Sequence, residues 1–248
     1  MIDAQKLLDQ FLGGGNAGRG DPRQGAARQN GGLGDIAGRL GGLSGGMGGL
    51  AGGAVAGSLA AILLGSKGGR KLAKNAVTMG GMAVLGGIAY KAYRDWQASK
   101  GMQSTVPPEP QGMKDVTPAP EGTPFLPAPE KERNALGLAL ITAMIAAAKA
   151  DGHIDAAEQQ KIFGRIDQAG LGAEEKAFLM DELRKPLDID AVVKAATSTE
   201  VAAEIYAASV LAIDPDDPAE QAYLSMLASR LKLDPGLKAN IEAEVARV

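Results

Sequence analysis

Six acidic side chains fall in two similar turns, and they are the residues of this chain best suited to chemistry. The first turn, residues 150–159, has the sequence ADGHIDAAEQ, and the second, residues 213–221, has the sequence IDPDDPAEQ. Each follows an apolar stretch, carries an aspartate near its start and ends in a D-x-x-E pattern. The six carboxylates belong to Asp151, Asp155, Glu158, Asp214, Asp217 and Glu220.

Carboxylate oxygens are hard ligands that suit Ca²⁺, Mg²⁺ or Mn²⁺. If the two helix–turn–helix segments pack about a pseudo-twofold axis, the six carboxylates converge and form a divalent-cation site. The turns are not EF-hands, because neither has the D-x-[DN]-x-[DN]-G loop with a glutamate at position twelve. His153, the one histidine, is expected to lie exposed in its turn rather than to bind the cation.

A structural role explains four of the six carboxylates without any ligand. The two D-x-x-E patterns are capping boxes, each worth about 1 kcal/mol at the start of a helix. Asp151 and Asp214 have no such role, because they follow helix C-termini, where the helix dipole disfavours an acid. The metal-site and capping interpretations both remain open, and these two aspartates distinguish them.

The chain lacks the residues that most enzymatic reactions need. The chain has no cysteine and one histidine, so thiolate sites and a nucleophile–base pair have no support. The Gly-rich stretch lacks the G-x-x-x-x-G-K-[ST] pattern of a phosphate loop. Acidic residues dominate after residue 134, which disfavours nucleic-acid binding. We therefore predict a non-enzymatic protein that does not bind nucleic acid and has no cofactor apart from a divalent cation.

The last part of the chain, residues 135–248, is predicted to be all-α. Ala135–Ala150 is almost wholly apolar and is expected to form the central buried helix. No segment alternates polar and apolar residues with period two, so the domain is predicted to be a compact C-terminal bundle of about seven helices. Capping patterns and glycines place further helix starts near Asp155, residue 173, Asp188, Thr199, Asp217 and Asp234.

The first part of the chain differs in charge and in glycine content. Residues 1–134 carry a net charge of +5 and residues 135–248 a net charge of −8, and 26 of the 35 glycines lie in residues 1–100. The two parts of the chain are therefore expected to lie in different environments. Residues 1–39 are predicted to be a disordered Gly-rich segment preceded by a short amphipathic helix. The apolar face of that helix consists of Leu7, Leu8, Phe11 and Leu12.

Residues 40–100 are predicted to hold a glycine zipper and one or two membrane segments. Leu40–Ser66 is uncharged, and small residues at every fourth position would line one helix face and admit a second helix closely. That geometry predicts self-association within a membrane. The small residues are Gly41, Gly45, Gly49, Gly53, Gly57, Ala61 and Gly65.

A second uncharged run, Asn75–Tyr90, ends in aromatic and basic side chains, as membrane helices do at the lipid–water interface. The alternative is a buried helix of a soluble bundle. Paired glycines at residues 80–81 and 86–87 would weaken a helix in water, so the membrane interpretation is favoured. Residues 101–134 hold eight of the 13 prolines and are predicted to be a spacer that forms no core.

The acidic turns resemble those of the TerB-like tellurite-resistance domains. The whole layout is similar to the YebE-like inner-membrane family of bacteria: a short N-terminal helix, a Gly-rich region, a membrane segment ending near Arg94, a linker and a TerB-like domain. The resemblance implies an all-α domain at residues 135–248 in which the acidic turns bind a divalent cation through the six carboxylates named above. The second turn departs from the pattern, with Pro215 in place of glycine.

Two hypotheses for function follow. In the first, the protein is a non-enzymatic binding module anchored in the bacterial inner membrane, whose acidic domain meets a divalent cation or a protein partner, with a role in envelope or stress response. In the second, it is a structural membrane protein that oligomerises through its glycine zipper and has no metal role.

Overall fold

The computed structural model describes residues 2–12, 80–101, 117–150, 164, 171–213 and 218–247. All regular secondary structure in these ranges is helical, which confirms the all-α prediction for this part of the chain. The helices are α1 (Ala4–Leu12), α2 (Gly81–Ser99), α3 (Glu130–Ala148), α4 (Ala173–Arg184), α5 (Ile189–Ala195), α6 (Thr199–Leu211), α7 (Pro218–Arg230) and α8 (Pro235–Arg247).

Helix starts agree with the capping predictions. The side chain of Asp188 accepts a hydrogen bond from the backbone N–H of Ala191 at 3.0 Å and caps α5. Helices α7 and α8 begin with Pro218 and Pro235, where a missing N–H leaves no intrahelical bond unmade. Helix α6 begins at the predicted residue, and Ser198 before it is the N-cap. Local sequence therefore sets these boundaries.

The centre of the bundle is the contact between α3 and α6. Helix α6 also packs against α2, α5, α7 and α8, so it is surrounded by helices. Its residues 202–210 are buried without a break, as expected for a helix with no solvent-facing side over that length. The central helix predicted at Ala135–Ala150 is present as α3, but it begins earlier, at Glu130, and it shares the central position with α6.

Helix α2 corrects the membrane prediction for residues 81–90 of the run Asn75–Tyr90, whereas residues 75–79 lie outside the described part of the chain. It packs against α1, α6 and α8, and side chains expected to face lipid, such as Met82, Leu85 and Ile88, are buried by other helices of the chain. The uncharged sequence is thus that of a helix inside the bundle. Among the described residues, no helix combines the length and the apolar character needed to cross a bilayer.

The glycines of α2 allow neighbouring backbones to approach. A Cβ atom on Gly81 would lie 2.6 Å from the carbonyl oxygen of Leu8, and one on Gly86 would lie 2.6 Å from the carbonyl oxygen of Phe125. Either contact is too short for any larger residue. Close packing within the bundle therefore explains glycines that the sequence analysis had assigned to packing within a membrane.

Part of the Pro-rich segment also belongs to the core, which corrects the prediction that it is only a spacer. Residues 117–129, here called the strap, place Phe125 at 1% exposure. Its ring lies edge-on to Tyr90, with centroids 5.8 Å apart, and 5.6 Å from the ring of Tyr93. A hydrogen bond from the hydroxyl of Thr123 to the carbonyl oxygen of Pro120, 2.7 Å long, stabilises the turn.

Helix α1 confirms the predicted amphipathic helix and shows where its apolar face goes. Leu7, Leu8 and Leu12 are buried, and α1 packs on α2 and α3. The backbone N–H of Ala4 donates to the side-chain oxygen of Asn134 at 2.7 Å. All of the described helices lie in one compact unit, so the bundle extends beyond the predicted domain of residues 135–248.

Candidate functional site

Five of the six predicted metal ligands lie outside the described residues. These are Asp151, Asp155, Glu158, Asp214 and Asp217. The sixth, Glu220, lies in the first turn of α7 and is 1% exposed. Across the part of the chain that the structure describes, no group of three His, Cys, Asp or Glu side chains is placed to hold a metal ion. The convergence of the six carboxylates stays a prediction.

The described helices do fix the position from which each acidic turn departs. Helix α3 has Lys149 as its C-cap, and α6 has Ala212. Asp151 and Asp214 therefore each stand two residues beyond the C-cap of a helix, and these two helices pack against one another. The two aspartates are therefore equally far along the sequence from the ends of their helices. Neither has the capping role that a helix N-terminus would give it.

Lys149 anchors the end of α3 to the end of α4. Its ammonium group donates to the carbonyl oxygen of Lys185 at 2.7 Å and to that of Glu182, which are carbonyls left free at the helix C-terminus. Burial lowers the pKa of Lys149, and the nearby carboxylate of Glu182 opposes that change. The first acidic turn thus begins next to a positively charged group held between two helices.

A second candidate site, which the sequence analysis missed, is the carboxyl group of Glu204 in the middle of α6. Its side chain is fully buried, and neither carboxyl oxygen has a hydrogen-bond partner among the residues that the structure describes. Burial raises its pKa well above the ordinary value. One feature of the sequence could have indicated this site: Glu204 is the one charged residue between Glu200 and Asp214, within an otherwise mostly apolar helix.

The carboxyl group of Glu204 lies where three parts of the bundle meet. A Cβ atom on Gly86 of α2 would be 3.2 Å from Oε1 of Glu204 and 2.6 Å from the carbonyl oxygen of Phe125. The group is therefore beside the close contact between α2 and the strap. An unpaired carboxylate is costly in such an environment, so the neutral acid is the form compatible with this packing.

Two other carboxylates near α6 are paired, in contrast to Glu204. The hydroxyl of Tyr206 donates to Glu242 of α8 at 2.7 Å. The hydroxyl of Tyr93 donates to Glu200 at 3.1 Å. Both pairs join α6 to a neighbouring helix through charge-assisted hydrogen bonds, which leaves Glu204 as the acid of α6 with no such contact.

Comparison with known protein families identifies the family to which this helical chain belongs. Residues 49–245 match the family model described as "Protein of unknown function (DUF533)", and the chain belongs to this family. The family is TerB-like, which confirms the TerB-like part of the resemblance. The match includes α2 and the strap as well as α3–α8, in agreement with their common core.

A bacterial relative is also similar to this chain. Over 106 residues the chain is 29% identical to a protein of Yersinia enterocolitica described as "Uncharacterized protein in ampR 5'region". The aligned part covers 43% of this chain and 76% of that protein. No solved structure matches the chain.

Proposed function

We propose that this protein is a non-enzymatic binding module anchored in the bacterial inner membrane, and that its helical bundle takes a divalent cation or a protein partner at the acidic turns that follow α3 and α6. The chain carries −8 over residues 135–248, which favours a cationic ligand. The absence of cysteine and the single histidine support a binding role over catalysis.

The equivalence of Asp151 and Asp214 carries the proposal. Each stands two residues beyond the C-cap of a central helix, where the helix dipole disfavours a negative charge. The two turns also share the D-x-x-E pattern, and the helices that precede them pack together. A bound cation compensates for acids at these two positions, whereas helix capping does not.

Membrane attachment is assigned to residues 40–66. Most of the later uncharged segment, Asn75–Tyr90, belongs to α2. Because α2 packs inside the bundle, this segment does not serve as the membrane anchor. Leu40–Ser66 has no charged residue and exceeds the roughly 20 residues that a membrane helix needs. Its glycines at every fourth position suit close contact between two copies in a bilayer.

The cation is tested by thermal unfolding of the full-length protein with millimolar Ca²⁺, Mg²⁺, Mn²⁺ or Zn²⁺. A bound cation stabilises the folded state by mass action, so the midpoint temperature should rise with the concentration of at least one of them. Asp151→Asn and Asp214→Asn should abolish that rise, while Asp181→Asn, at an exposed position of α4, should keep it. A midpoint that is the same with all four cations would leave a protein partner as the ligand.

The anchor is tested by fractionation. Full-length protein should sediment with membranes and resist a carbonate wash, and deletion of residues 40–66 should release it. Recovery of the intact protein entirely in the soluble fraction would contradict the anchor. Substitution of isoleucine at Gly49 and Gly53 separates the binding module from the structural alternative. Loss of oligomers with binding of the cation or partner intact favours the binding module.

A further inference from the structure

Glu204 is a buried acid for which the structure supplies no partner. Both carboxyl oxygens of Glu204 are buried and form no hydrogen bond with the described residues. Its side chain is 0% exposed. A buried unpaired carboxylate is strongly unfavourable, so closure of the bundle around Glu204 favours its protonated form.

The groups that close over Glu204 come from distant parts of the chain. Gly86 of α2 lies next to the carboxyl group of Glu204, and the backbone carbonyl of Phe125 in the strap lies next to the same glycine. Phe125 is held in turn by ring contacts with two tyrosines of α2. The strap has little regular structure of its own, since its turn rests on an isolated bridge between Thr123 and Leu126. Segments without helix or strand hydrogen bonding are those that open locally most readily.

We propose that Glu204 is a proton-operated latch that holds the strap and α2 against α6. The neutral carboxyl group allows the strap to close over it. Ionisation requires water at the carboxylate, and water reaches it when the strap and the middle of α2 move away from α6. The latch goes beyond the binding role proposed above and does not depend on it.

Several of the other titratable groups on the elements around α6 are paired: Glu200 with Tyr93, Glu242 with Tyr206, and Lys91 with Glu244. Burial is the one cause that raises the pKa of Glu204, so no charged neighbour sets it. The buried side chains of α3 are all apolar, and α5 buries Val192 alone. The titratable groups on these elements include Tyr90, Lys91 and Tyr93 of α2, Glu121 of the strap, Glu200 and Tyr206 of α6, the buried Glu220 and Tyr223 of α7, and Lys238, Glu242 and Glu244 of α8.

The direction of the pH effect follows from the sign of the shift. The pKa of Glu204 is raised in the closed state, so the proton stabilises closure fully below about 4.3, the ordinary pKa of a glutamate. That stabilisation is lost as the pH rises toward the raised value. The equilibrium constant for opening should therefore increase by up to about tenfold per pH unit above pH 4.3.

Hydrogen exchange of the full-length protein between pH 5 and pH 8 tests the latch. After correction for intrinsic exchange rates, amides of the strap and of the middle of α2 should lose protection as the pH rises. Glu204→Gln should remove this dependence, because the amide does not titrate. Glu200→Gln, one turn earlier on the same helix, should keep it. If Glu204→Gln fails to fold, Glu204→Met provides a second side chain of similar length without a proton.

Two results would overturn the latch. One is a pH-dependent opening of the strap that persists unchanged in both Glu204 variants, which would assign it to another group, such as His153. The other is protection of the strap and α2 that does not change from pH 5 to pH 8 in the unmutated protein.

Discussion

Asp9 of α1 caps α2 by accepting a hydrogen bond from the backbone N–H of Gly81 at 2.6 Å. The N-cap residue of α2, Gly80, has a φ of 84° and no side chain with which to cap its own helix. The cap is therefore provided by a helix that lies some 70 residues earlier in the chain. One hydrogen bond both satisfies the start of α2 and fixes α1 to it.

Loss of this cap is expected to destabilise the bundle. Asp9→Ala should lower the free energy of unfolding by about 1 kcal/mol, the usual effect of removing an N-cap acceptor. Asp9→Asn keeps an acceptor oxygen and should have a smaller effect. Urea unfolding measures both, and equal stability of Asp9→Ala and the unmutated protein would mean that α1 is not needed to cap α2.

Gly86 is expected to tolerate no side chain. Gly86→Ala would bring a Cβ atom to 2.6 Å from the carbonyl oxygen of Phe125, so the strap must shift, and we expect a loss of about 1–3 kcal/mol. The matched control is Gly164→Ala, a helical position at which no described atom lies within 4 Å of a Cβ, and which should be neutral or stabilising by up to about 1 kcal/mol. Thermal unfolding of the two variants should move in opposite directions.

The C-terminal residues alone are expected to fold poorly, in contrast to the expectation from sequence. A fragment of residues 130–248 lacks α2, and so exposes the faces of α6 and α8 that α2 covers. It should bind the hydrophobic dye ANS and lack near-UV circular dichroism. A fragment of residues 80–248 keeps α2 and the strap and should be closer to native. Cooperative unfolding of the shorter fragment would show that α2 is dispensable.

Protonation of Asp234 is expected to lower the stability of the protein at acid pH. The ammonium group of Lys100, the indole N–H of Trp96 and the backbone N–H of Gly236 donate to it and lower its pKa to about 2. Its stabilising effect is thus present above about pH 3.9, the ordinary value, and is lost as the pH falls toward 2. Asp234→Asn should flatten the stability profile over that interval, as followed by the fluorescence of Trp96.

A carboxyl titration measured by NMR provides the check on this assignment. Lys100→Gln removes the largest cause of the shift and should move the pKa of Asp234 back toward its ordinary value. An unchanged titration in Lys100→Gln would assign the shift to the two N–H donors instead.

The parts of the fold that sequence predicted well are local. Helix starts at Asp188, Pro218 and Pro235 depend on a cap or a proline within a few residues, so no knowledge of tertiary contacts was needed. The apolar face of α1 was also correct, because it depends on spacing alone. Its docking site on α2 and α3 was not predictable, since those helices lie far along the chain.

The position of α2 was misjudged for a physical reason. An uncharged, glycine-containing helix is stable wherever its surroundings are apolar, and lipid and protein meet that requirement equally. What decides between them is whether the partners of Gly81 and Gly86 are protein backbones, which the sequence of α2 does not encode. Glu204 was missed in the same way, since its burial depends on α2 and the strap.

The packing of α2 between α6 and α8 also sets an order for folding during synthesis. Ser99 leaves the ribosome about 150 residues before Arg247, a delay of roughly 7–30 s at about 5–20 residues per second. Until α6 and α8 are synthesised, the strap and α1 are the only described elements available to pack against α2, and much of its apolar surface is open to chaperones or to lipid. The cell therefore handles this helix first as an exposed hydrophobic segment, and afterwards as the interior of a bundle.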